Sequence, residues 1–251
     1  MTTATAMQSS TTSSCPLGAR LREIATLRSI ERTMAYDQET VMPEAGAAAR
    51  AEQLSLLAGI VHRKATDPAM GALLAEYAGR ADVRANPVAA ANVREAKRDH
   101  ERLVKLPPEL VEEISRTSSL GMEAWKHARA SSDFAAFRPW LEKIVGLVRR
   151  KAECYGIPPW GAELYDALMD EFEPGMTAAR TAEVFGPLRE FTVALVDRVR
   201  RSGKPVDTGV VHTETPIEAQ KVFSRRVVEA LGFDFRGGRI DASTHPFCEG
   251  L

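Results

Sequence analysis

The feature that most constrains this chain is its punctuation by helix-starting signals. Asp67-Pro68 and Asn86-Pro87 each set a side-chain acceptor directly before a proline. The acceptor satisfies N–H groups that a first helical turn leaves unpaired, and proline, with φ fixed near the helical value and no N–H to lose, suits the first helical position. These pairs predict helices near 68–79 and 87–105. Pro107-Pro108 breaks the chain and starts a helix to about Ala130. Asp133 caps a run to about Tyr155, and Thr177 caps a long helix to about Ser202, with a bend expected at Pro187. Thr215-Pro216-Ile217-Glu218 has the form of a capping box for a last helix to about Leu231. Between these signals the apolar residues step by three and four. Leu17, Leu21, Ile24, Leu27 and Met34 make one stripe of an amphipathic helix that Pro43 ends, and Ala47 to about Lys64 is rich in Ala and Leu. The pattern predicts an all-α fold. Helix starts follow no fixed period, which argues against a solenoid.

One segment breaks the helical pattern. Phe233, Phe235, Ile240 and Ala242 alternate around Gly237-Gly238, which predicts a short β-hairpin. A lone hairpin is marginal in water, and no capping signal follows it. The chain therefore reads as the first part of a larger fold. At the other end, residues 1–14 hold nine Ser or Thr and no charge. We expect a disordered tail over 1–16, with 17–251 as one helical part. A secretory leader would show a basic start and an apolar run; neither is seen, so the expected compartment is the cytoplasm.

Charge is balanced, with 33 basic and 34 acidic residues. Nothing in that balance attracts nucleic acid or an anionic membrane surface, and no stretch approaches the length of apolar sequence that spans a bilayer. The three cysteines, Cys15, Cys154 and Cys248, form no Cys-x-x-Cys pair and read as reduced thiols. Cys154 reads as a small buried hydrophobe, and Cys248 has no evident base to make it a nucleophile.

Of the five histidines, His62, His100, His127, His212 and His245, no two are three or four apart, so no helix face offers two imidazoles to one metal ion. His100-Glu101 is followed at the fifth position by Val104, amid charges that read as a solvated face. His62, His127 and His212 are expected at the surface. There is no phosphate-binding Gly-Lys-Ser/Thr loop, no dinucleotide fingerprint and no Gly-x-Ser-x-Gly elbow. Gly203 in Ser202-Gly203-Lys204-Pro205 reads as a helix C-cap.

Acidic residues cluster at two places. Asp166, Asp170, Glu171 and Glu173 gather around one helix, and Asp166 and Asp170 share a face, a spacing that suits a hard cation or, more simply, a solvated face closed by Pro174-Gly175. Asp37 and Glu39 read as partners of a buried arginine.

Three blocks carry a family resemblance. Tyr36-Asp37-Gln38-Glu39-Thr40-Val41-Met42-Pro43 is similar to a Trp-Asp-x-x-Thr-x-x-Pro block, with Tyr36 in place of Trp. Tyr165 to Thr177 is similar to a second block, and Gly232-Phe-Asp-Phe through Ser243-x-His245-Pro246-Phe247 to a third. Taken in order they resemble the zinc carboxypeptidases of the carboxypeptidase Taq type, over about the first half of a family member. The resemblance implies a multi-helix, neurolysin-like peptidase fold and removal of C-terminal residues from peptides. It also implies homodimers and a zinc ion held by His-Glu-x-x-His on one helix plus a later Glu. That zinc motif is absent from this sequence, so no catalytic or metal-ligating residue is assigned, and the chain alone is expected to be inactive. The resemblance assigns substrate binding to His245, Pro246 and Phe247. Taken by themselves, these residues serve equally as a substrate-contacting turn or as a proline-fixed turn with a core phenylalanine. The alternative function is a non-catalytic helical interaction or dimerisation module, or an inactive remnant of the family.

Overall fold

The computed structural model describes residues 15–248. The expected tail falls outside these residues, except that Cys15 caps the first helix and Pro16 begins it. Ten α-helices are formed among the described residues: α1 Pro16–Thr40, α2 Ala47–Ala65, α3 Pro68–Gly79, α4 Ala81–Ala85, α5 Pro87–Leu103, α6 Pro108–Ser131, α7 Phe134–Tyr155, α8 Leu164–Met169, α9 Ala178–Arg201 and α10 Ile217–Ala230. Two compact units result. Residues up to Gly175 together with those from Ser243 make the first, and Met176–Ala242 the second.

The predicted caps form. Asp67 accepts from the Ala69 N–H at 2.8 Å, Asn86 from Val88 and Ala89, Asp133 from Ala136, and Thr177 from Arg180. Gly203 takes φ 63°, the left-handed conformation of a helix C-cap. One further cap is a thiol: Cys15 Sγ accepts from the Gly18 N–H at 3.3 Å. The capping box at Thr215 does not form. Pro216 is itself the N-cap and no side chain caps α10, so Glu218 falls at the second helical position, one short of where it would reach back.

In the first unit, α2 packs most extensively against α6, and also against α1. Gly59 of α2 faces the Glu112 side chain of α6, whose carboxylate occupies the place a Cβ would take. Leu17, Ile24, Val61, Ala65, Met70, Leu74, Tyr77, Val83 and Val93 form a buried cluster drawn from α1 to α5, with Leu21 and Leu27 packed against it. The stripe read from α1 is therefore its core face.

The second unit contains α9 and α10 and buries no residue of either helix. Phe185, Leu188, Phe191, Val193 and Val199 of α9 are each more than half exposed.

The expected hairpin is absent: residues 233–242 contain no strand. The turn is at Asp234–Gly237, where the Gly237 N–H donates to Asp234 O at 3.0 Å. The Asp234 carboxylate accepts from the Arg236 backbone N–H and guanidinium. These local bonds compete with strand pairing. The Phe233 ring also lies where a Gly238 Cβ would stand, and packs edge-on to Phe235 at 4.9 Å.

Candidate substrate-contacting site

Ser243 to Phe247 lies against α1 and α6. The Phe247 ring meets Tyr36 of α1 edge-on, centroids 5.6 Å apart, and the His245 ring meets Trp125 of α6 at 6.0 Å. Ser243 Oγ donates to His245 O at 2.8 Å. His245 Nδ1 is 2.9 Å from Pro246 O. A carbonyl oxygen only accepts, so Nδ1 carries the proton, and Nε2 is the other, unprotonated ring atom in the neutral form. His245 and Phe247 are exposed. Arg129, one turn beyond Trp125 on α6, sets its guanidinium carbon 5.7 Å from the indole centroid. The same two helices thus supply an aromatic seat for the His-Pro-Phe segment.

A polar network joins these helices. Gln38 is buried and uses its whole amide. Nε2 donates to Ser119 O at 3.1 Å and Glu123 Oε1 at 2.9 Å, and Oε1 accepts from Ser119 Oγ at 2.9 Å. Lys126 donates to Gln38 O at 2.9 Å and to Glu123 at 3.1 Å, with Glu39 3.7 Å away. Asp37 pairs with the largely buried Arg50 at 2.5 Å, and Arg50 also donates to Met34 O. The expected arginine partner therefore holds for Asp37, whereas Glu39 faces a lysine.

In the second acidic cluster, Asp166, Asp170 and Glu171 are engaged in structure. Asp166 is buried and accepts from the Ala162 and Glu163 N–H groups in the capping box that starts α8. Asp170 takes both Arg98 and Arg102 of α5, and accepts from Gly175 N–H. Burial works to raise the Asp170 carboxyl, but the Gly175 N–H and the two guanidiniums hold it below its ordinary value. Glu171 is likewise held low against burial by Lys151, Tyr155 and Arg102, while burial and Glu171 push Tyr155 upward. A cleft of about 200 Å³ lies beside this cluster, lined in part by Arg28, Arg98, Arg102, Tyr155 and Asp170.

Three histidine and cysteine readings need correction or extension. His62 is buried, not at the surface: Nε2 meets Leu106 O at 2.9 Å, and Nδ1 has no partner. Burial pushes its imidazole below the ordinary value. His100 bonds Ala65 O through Nδ1 at 2.7 Å rather than facing only solvent. Cys154 is half-buried. Among the described residues no three His, Cys, Asp or Glu side chains converge as metal ligands, so these residues do not fit a zinc site. No helix among them is long and apolar enough to cross a membrane. The sequence reading missed Trp125, Glu123, Lys126 and Arg129; the three-residue steps from Glu123 to Lys126 to Arg129 and the four-residue step from Trp125 to Arg129 were the available signal.

Comparison with known proteins places these features in context. The family model for Carboxypeptidase Taq (M32) metallopeptidase matches residues 17–251. Thermostable carboxypeptidase 1 of Thermus thermophilus is 38% identical over 235 residues, which cover 90% of this chain and 46% of that protein. Carboxypeptidase 1 of Bacillus subtilis is 33% identical, covering 87% of this chain and 43% of the relative. The crystal structure of BsuCP superposes with a TM-score of 0.84 at 31% identity, over 91% of this chain and 45% of that one. An M32 carboxypeptidase from Deinococcus radiodurans R1 gives 0.72 at 36% identity, with coverage of 91% and 45%. The chain thus spans about half the length of the relatives it matches. By sequence and by helical architecture alike, it belongs to the carboxypeptidase Taq (M32) metallopeptidase family.

Proposed function

We propose that this chain forms the helical wall and the His-Pro-Phe segment of the substrate groove in a zinc-dependent carboxypeptidase that removes C-terminal residues from peptides. The observation that carries the reading is the seating of His245 and Phe247 on Trp125 and Tyr36, with both exposed. Zinc, in this reading, is held by residues outside those described, and residues 1–251 alone do not hydrolyse peptides. The unbridged cysteines suit a reducing compartment such as the cytoplasm.

The test is mass spectrometry of a peptide incubated with purified chain and zinc, beside a chimera in which the unmatched second half of the Thermus relative follows Leu251. Trimming is expected from the chimera and not from the chain. Chelator-sensitive trimming by the chain would refute its inactivity; an inert but folded chimera would refute the groove reading.

A second reading is favoured by the exposed apolar face of α9. A contiguous apolar surface of this kind marks an interaction site. In that reading the chain is a helical association module, pairing with itself as a homodimer.

A further inference from the structure

We propose that the cleft walled by α1, α5, α7 and the turn after α8 binds a free α-amino acid with a small side chain. The inference is independent of the peptidase reading and concerns a different face of the first unit.

The cleft is lined by charges of both signs, and most are already matched. Asp170 is shared by Arg98 and Arg102. Glu171 takes Lys151, Arg102 and the Tyr155 hydroxyl. Two charges are left over. Arg28 of α1 and Asp99 of α5 both line the cleft, and among the described residues neither forms an ion pair, with the other or elsewhere. Arg28 feels the charge of Glu31, one turn along α1, and its N–H fork faces the cleft. Opposite charges held apart across one cleft suit a ligand that carries both. The guanidinium fork matches an α-carboxylate with two parallel hydrogen bonds, and the Asp99 carboxylate accepts from an α-ammonium. A simple anion is the poorer match. The arginines Arg28, Arg98 and Arg102 are balanced by Asp99, Asp170 and Glu171, so the lining has no net sign with which to attract one.

Size narrows the ligand. The cleft of about 200 Å³ has the room of roughly six or seven waters, below the ~300–1,000 Å³ of sites for drug-sized molecules. A peptide or a nucleotide is too large for it. Only Leu103 and the Tyr155 ring are apolar in the lining, which favours a small side chain. The wall is also set before a ligand arrives. The Arg102 guanidinium lies 4.6 Å from the Tyr155 ring centroid, and the Tyr155 hydroxyl donates to Glu171 at 2.8 Å. Binding then orders few new groups.

The experiment uses the full chain and three probes: L-alanine, N-acetyl-L-alanine, which lacks the ammonium, and L-alaninamide, which lacks the carboxylate. Binding is read by NMR at the backbone amides of Arg28, Asp99, Arg102 and Glu171. L-alanine is expected to bind roughly tenfold more tightly than either derivative, as loss of one charge-assisted contact predicts. Asp99→Asn should bring L-alanine and N-acetyl-L-alanine within about twofold of each other, and Arg28→Gln should do the same for L-alanine and L-alaninamide. Neither substitution removes an ion pair seen in the structure, so circular dichroism spectra and Tm should be unchanged. His245→Ala should leave L-alanine binding as it is. The assignment is overturned if L-alanine shifts none of these amides, if its preference survives both cleft variants, or if His245→Ala abolishes binding. Equal binding of L-alanine and N-acetyl-L-alanine by the wild-type chain would mark a carboxylate site and overturn the zwitterion. None of these results bears on whether the His-Pro-Phe segment contacts a peptide.

Discussion

The Tyr36 ring packs edge-on against the Phe247 ring at 5.6 Å and 62°, joining the end of the first helix to the last described turn of the chain. Edge-to-face pairs are worth about 0.5–1.5 kcal/mol beyond their burial. Tyr36→Ala should therefore speed hydrogen exchange at the Thr244, His245 and Phe247 amides by roughly three- to tenfold, with little change in α2. Phe247→Ala in the same background should add less than it does alone, because the partner ring is already gone.

Gln38 is the polar pivot between α1 and α6. Gln38→Leu leaves Ser119 Oγ without its acceptor in a buried place and takes one donor from Glu123, which keeps Lys126, at an expected cost of about 1–3 kcal/mol in urea unfolding. Gln38→Glu should cost more. It places a third carboxylate beside Glu39 and Glu123, with Lys126 as the shared cation. A Gln38→Glu protein as stable as Gln38→Leu would contradict this view of the network.

Two groups of residues should give acid sensitivity in separate ranges. His62 has a depressed value in the folded state. The folded protein thus takes up its proton less readily than the unfolded chain, whose histidine titrates near ~6.5. The stability tied to neutral His62 is complete above that value and declines as pH falls below it. His62→Gln, which keeps a donor for Leu106 O, should flatten the fall in Tm between about pH 7 and 5. Asp170 and Glu171 are also depressed, but from a lower starting point. Their contribution holds above the ordinary carboxylate range of ~4 and is lost as pH drops through the lowered folded values. Asp170→Asn should remove the Asp170 share of that second loss and destabilise the protein at neutral pH, since Arg98 and Arg102 lose the carboxylate they share.

The apolar face of α9 should drive association. Sedimentation of the purified chain is expected to show species heavier than 27.5 kDa. Phe185→Asp with Phe191→Asp should return it toward the monomer, because both rings are exposed and their loss takes nothing from a core. A wild-type chain monomeric at high concentration would count against the association reading.

The helix starts at Asp67, Asn86, Asp133 and Thr177 were legible because a cap is a contact over two or three residues. The Thr215 box failed by a single position: Pro216 took the cap and displaced Glu218. His62 was misread from its charged neighbour Arg63, which points elsewhere on the helix. The better signal was the stripe Ala51, Ser55, Ala58, His62 and Ala65, all buried, at helical spacing. The hairpin failed because Asp234 and Arg236 pair within the turn. The seat of His245 on Trp125 lay beyond any local rule, since the two residues are brought together only by the packing of the helices.

That seating has a kinetic consequence. Tyr36 and Trp125 must already be held in place by α1 and α6 before residues 243–247 have anything to close upon, and the segment closes a long loop with few contacts of its own. Long-range closure is entropically late. Residues 243–247 are therefore expected to order after the helices beneath them and to open before those helices do. The seat of His245 and Phe247 can then be lost while the helical scaffold remains intact.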